Sequence, residues 1–89
     1  MTASEVPPQF YVLARDAEHL LGQGDAIDSI IRFVHGRTGI IGTLWVIHQI
    51  LGTGLKETRD LVEWSPALNP EGYVPPSGWG KLVASLGLH

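Results

Sequence analysis

Cysteine is absent from the 89 residues, which excludes a disulfide scaffold, a thiolate metal site and a cysteine nucleophile. Charge is sparse: 6 Lys and Arg against 9 Asp and Glu, net −3. There is no basic stripe. Nucleic-acid affinity comes largely from phosphate neutralisation, and the scattered Arg15, Arg32, Arg37, Lys56, Arg59 and Lys81 argue against DNA or RNA as a partner. A long apolar run is missing too. The most apolar stretch, residues 40–51, has twelve residues, short of the roughly 20 that cross a bilayer. Arg32, His35 and Arg37 block its extension upstream. Met1-Thr2-Ala3-Ser4-Glu5 carries neither a basic segment nor an apolar core, so no signal peptide is expected. These absences predict a soluble cytoplasmic chain with no membrane partner. What is present is a globular composition, 44% hydrophobic, which excludes disorder by composition. One small domain over 1–89 is expected.

Helical periodicity dominates the chain. Residues 1–6 read as a disordered lead-in. Pro7-Pro8 suits a first helical turn, where a missing N–H costs nothing. Phe10, Leu13, Ala14, Ala17, Leu20 and Leu21 then recur at helical spacing, and Gly22-Gln23-Gly24 ends the segment. A short strand at 10–14 is the alternative. Asp25 fits the N-cap of a second helix with Ile27, Ile30, Ile31 and Val34 as its apolar stripe and Gly36 as its stop. A third helix, Thr43 to Leu51, is apolar nearly all round, as expected of a central or interfacial element. Gly52-Thr53-Gly54 breaks it. A fourth runs Leu55 to Trp64 with Leu55, Leu61 and Val62 inward, and residues 66–76 form a proline-rich ordered loop anchored by Tyr73 and Val74. Ser77 caps a last helix carrying Trp79, Leu82, Val83 and Leu86. The fold class expected is all-α, a compact bundle of about five short helices.

The segment Gly52-Thr53-Gly54-Leu55-Lys56-Glu57-Thr58-Arg59-Asp60-Leu61-Val62-Glu63 resembles the Gly-x-Gly-Leu-Lys-Glu-Ala-Lys-Asp-Leu-Val-Glu motif of the C-terminal domain of the bacterial ribosomal stalk protein. The resemblance implies a helix hairpin, and, as the alternative fold, an α+β domain whose first strand is residues 10–14. It also implies a protein partner: in the stalk protein this face recruits translation GTPases through basic residues. Lys56 and Arg59 match two of those basic positions. The family pattern has one helix before the motif where this chain has two: either 31–39 or 43–51 can be aligned to it, but not both, and the family's last strand has no counterpart before His89. Read without the family, Gly52 and Gly54 provide a close turn between two apolar helices.

Little else points to chemistry. His19, His35, His48 and His89 show none of the repeated spacings that metal sites use, so no metal or cofactor is expected. His35 and His48 each end an apolar helical stretch and are the only histidines offered as an acid–base pair. Three tryptophans are many for a core this small, so at least one is expected at an interface, Trp45 first. The leading expectation is a non-catalytic protein-interaction module of a small bacterial cytoplasmic protein. It self-associates through residues 40–51 and docks a partner with Trp45, His48, Lys56 and Arg59. A small helical enzyme or ligand-binding protein is the second reading, its pocket lined by Trp45, Trp64, Tyr73 and Trp79 with His35 or His48 as base. A DNA regulator using helices 43–51 and 55–64 is the third. Glu57, Asp60 and Glu63 oppose it, since a recognition helix is basic.

Overall fold

In the computed structural model, residues 6–88 are described, and the lead-in expected at 1–6 lies outside them except for Val6. Four α-helices follow in order: α1, Pro8–Gly22; α2, Ile27–Leu51; α3, Leu55–Glu63; α4, Ser77–Ser85. One turn of 3-10 helix, Pro66–Leu68, lies between α3 and α4. The all-α class holds, with no strand among the described residues. The strand alternative at 10–14 does not, because those residues lie inside α1. There the helical period decides: Leu13, Ala14 and Ala17 all turn inward.

The helix count is four and not five because the second and third predicted segments run on from one another over 25 residues, as two helical stretches joined across a kink at Gly39. Gly36 does not stop it. That glycine is exposed, and a glycine on a solvent face costs a helix only about 1 kcal/mol. The break falls instead at Gly39, whose φ of 75° and ψ of −171° are non-helical. That region is essentially closed to side-chain-bearing residues. The Thr43 hydroxyl donates to the Gly39 carbonyl at 2.7 Å, tying the first turn after the break back to it. Thr38 packs closely over Gly42 on the following turn. His35 lies in the last turn before the break and so ends the first helical half of α2.

Asp25 is not the N-cap of α2. Ala26 occupies that position with no side-chain cap. The reason is the end of α1. The Gly24 N–H bonds the Leu21 carbonyl and the Asp25 N–H bonds that of Leu20, at 3.1 and 3.2 Å. This is the paired closure of a Schellman motif, which makes Asp25 the last residue of the α1 stop and leaves α2 to begin after Ala26. Ser77 is likewise the first residue of α4, with Pro76 before it.

The core is one cluster. Leu13, Ala14 and Ala17 of α1 meet Ile27, Ile30, Ile31, Val34, Val46 and Ile47 of α2 and Leu61 and Val62 of α3. α1 folds back along α2, so that Phe10 near its start reaches Trp45 near the end of α2. α4 contributes no fully buried residue. It is tied on by Trp79, whose indole N–H donates to the Leu61 carbonyl at 2.9 Å. Val74, expected as a loop anchor, is 82% exposed, while Tyr73 is half-buried. Counted across the break at Gly39, α2 is long and apolar enough to cross a bilayer, with a mean hydropathy of 1.2 over its best 18 residues. In this fold it is the central core helix, with Arg32, His35 and Arg37 exposed along its middle.

Candidate functional site

The second half of α2 has two faces. Gly42, Thr43, Val46 and Ile47 are buried against the core. Ile41, Leu44, Trp45 and His48 point the other way, at i, i+3, i+4 and i+7. With Leu55, Lys56, Thr58 and Arg59 of α3 they line an open groove of about 520 Å³. Its floor is apolar, and Ile41 and Leu55 remain 71% and 77% exposed. Leu55, read from its spacing as inward, is on the first turn of α3, beyond the reach of the core.

The corner between the helices fixes the groove. Gly52 closes α2 with φ 66°, a left-handed conformation that favours glycine, and its N–H bonds the His48 carbonyl at 3.0 Å. Gly54 has an ordinary φ of −66°. The Glu57 carboxylate folds back over it, a flexible exposed end that a side chain at 54 would push aside, so of the two glycines only Gly52 is held by its conformation. Between them, Thr53 hydrogen-bonds Thr58, Oγ1 to Oγ1, at 2.6 Å.

Thr58 is the hub, 2% exposed. Its hydroxyl donates to the Gly54 carbonyl at 2.8 Å. Having one proton, it then accepts from Thr53, and His48 Nδ1 stands 3.5 Å away, at the outer limit of a bond. His48 is a half-buried member of the groove wall.

Trp45 is half-buried and shared. Phe10 lies 5.7 Å from its ring and Tyr11 meets it edge-on at 5.2 Å. Neither contact was foreseen from the sequence, where Phe10 reads as core and Tyr11 as unassigned. Both contacts depend on how α1 folds back along α2, which no spacing within α1 contains. Lys56 lies 3.7 Å from Asp60, with its side chain 82% exposed. Arg59 has no ion-pair partner among the described residues.

The structure thus brings Trp45, His48, Lys56 and Arg59 to one groove. It does not assemble the aromatic pocket of the second reading. Trp79 is held on Leu61, Trp64 lies beside Gly78, and neither lines the groove with Trp45. His35 is exposed on the other half of α2, across the break at Gly39, so the pair with His48 does not form. His48 touches no carboxylate that would orient it as a base. Among the described residues no cluster of three metal-ligating side chains occurs. No family model, curated protein or solved structure matches this chain.

Proposed function

We propose that this chain is a non-catalytic interaction module that docks a partner protein in the groove between α2 and α3. The observation that carries the reading is the adjacency of Ile41 and Leu55, both more than two-thirds exposed, on either side of Trp45. Large apolar side chains gathered in a concavity and rimmed by charge mark a recognition surface. The resemblance of residues 52–63 to the ribosomal stalk motif agrees with a protein partner, and Lys56 and Arg59 are the residues common to both arguments. The module belongs to the cytoplasm on this reading.

The test is affinity capture from source-cell lysate, comparing wild type with the Lys56→Glu, Arg59→Glu double variant. A stoichiometric protein retained by wild type and lost by the variant is expected. A translation GTPase in that role extends the stalk likeness to function, and any other protein removes that likeness while keeping the module. A partner held equally by both proteins refutes the groove.

Self-association through residues 40–51 is a second reading, favoured by the exposure of Ile40 at 41% beside Ile41 at 71%. Sedimentation equilibrium decides it. A monomer throughout the accessible concentration range removes the homodimer.

A further inference from the structure

We infer that the occupant of this groove is an amphipathic helix of a partner protein, acidic on the flank that faces α3. The inference rests on the reading of the groove as a docking surface, and adds what fills it. Three observations carry it.

The first is the shape of the floor. Ile41, Leu44, Trp45 and His48 form one helical stripe, so the surface offered is a helix ridge with a second helix, α3, as its far wall. Such a surface accepts another helix by ridges into grooves, with apolar anchors at i, i+3, i+4 and i+7. From residue 41 to 48 the stripe spans about 10 Å at 1.5 Å per residue, enough for two turns of the incoming helix. The alternative backbone mode, an added strand, needs a sheet edge, and the described residues form no strand.

The second is local charge. The lining includes Arg59 and Lys56, the latter 3.7 Å from Asp60 on the next turn, and no acidic residue, although acids outnumber bases in the chain. Arg59 is without an ion-pair partner among the described residues. A neutral helix laid across it would desolvate the guanidinium with nothing to meet it, whereas a carboxylate pairs with it bidentately.

The third concerns the competitors. Two copies meeting groove to groove would bring Lys56 and Arg59 of each toward the same pair on the other, a like-charge contact. An anionic membrane would attract two cations but repel a chain of net charge −3, and a concave groove does not match a plane.

The experiment is a titration of the isotope-labelled full chain, read on the indole N–H resonances. Two designed helical peptides of 18 residues share one leucine face; one carries glutamates on the flank and the other lysines. The Glu peptide should shift the Trp45 resonance, identified by its loss in Trp45→Phe, and leave Trp79, which is held on Leu61, in place. It should bind at least about tenfold more tightly than the Lys peptide at low salt. In Lys56→Glu, Arg59→Glu the order should invert; the milder Lys56→Gln, Arg59→Gln should erase the preference, and an unchanged Trp79 resonance verifies folding in both. Equal affinities, or no binding of either peptide, overturn the acidic helix. If lysate capture still loses its partner in the double variant, the docking surface survives that failure and only its occupant is wrong. A Trp45 shift on dilution of the protein alone overturns it in favour of a second copy. A Trp45 shift with vesicles of phosphatidylserine and phosphatidylcholine, absent with phosphatidylcholine alone, overturns it in favour of a membrane.

Discussion

Replacing Trp79 with Phe separates the hydrogen bond that fastens α4 from the bulk that packs it. In α3 the carbonyls of the last turn lack helical donors. The Ser65 N–H, four residues after Leu61, bonds Val62 instead. The Leu61 carbonyl, on a fully buried residue, is met by the Trp79 indole at 2.9 Å. In Trp79→Phe that acceptor is stranded, at a cost of about 1–3 kcal/mol. Shrinking a half-buried indole to a phenyl adds on the order of 1 kcal/mol in lost apolar burial. The expected loss is therefore about 2–4 kcal/mol, a large share of the 5–15 kcal/mol that small domains possess. Trp64→Phe is the control. The Trp64 indole makes no hydrogen bond among the described residues but packs beside Gly78, so only the burial cost applies, about 1 kcal/mol. Urea unfolding followed by circular dichroism measures both. Hydrogen exchange over residues 77–85 shows whether α4 detaches before the rest. Equal losses in the two variants would refute the role given to the indole bond, as would a loss below about 0.5 kcal/mol for Trp79→Phe.

Other expectations follow from the α2 break and the corner. Gly39→Ala places a Cβ on a backbone at φ 75° and ψ −171°, and should cost about 1–3 kcal/mol in urea unfolding. A neutral or stabilising result would mean that α2 runs straight through residue 39. Gly52→Ala should cost about 1–2 kcal/mol through the left-handed φ of 66°, with Gly52→Asn losing less; equal losses would contradict the conformational cause. Thr58→Val keeps the shape and the bond from the residue-58 N–H to the Gly54 carbonyl, but the Thr53 hydroxyl loses its partner, costing about 0.5–1.5 kcal/mol, whereas Thr58→Ser should recover most of it.

Helical spacing made α1, the first half of α2, α3 and α4 legible, because a buried stripe repeats at a period the sequence displays directly. Ile27, Ile30, Ile31 and Val34 read as one face and are one face. Helix ends were less legible, since their signals compete. Asp25 has the chemistry of an N-cap, yet its N–H is taken by the end of α1. Between Gly36 and Gly39 nothing local says which will leave the helix. The choice is made by packing on both sides, where Val34 and Val46 must both face the core. A straight helix turns 100° per residue, so twelve residues return to within 120° of the starting direction, and a break corrects the remainder. The groove residues were found by chemistry and not by geometry. Trp45 stood out as an excess aromatic, and Lys56 and Arg59 through the stalk motif. The aromatic partners Phe10 and Tyr11 depend on how α1 folds back, which spacing within α1 does not contain.

The all-round apolarity of residues 43–51 has a physical resolution in the fold. Val46 and Ile47 are spent on the core, and Leu44 and Trp45 on the groove, so a single short helix serves an inner and an outer surface at once. The outer surface carries a standing cost, because Ile41 and Leu55 stay wet. At about 25 cal/mol per Å² of apolar area, covering the two would recover on the order of several kcal/mol, comparable to the whole stability of a small domain. Monomer folding gains nothing from leaving that area open. A polar residue at 41 or 55 would remove the aggregation hazard without touching a core contact. The exposure of these two residues beside a cationic rim is consequently best explained by something that covers them when bound. Ile41→Ser, Leu55→Ser separates the two explanations. If the residues serve only the fold, the double variant loses stability and keeps its partner. If they serve recognition, it stays within about 0.5 kcal/mol of wild type and no longer binds.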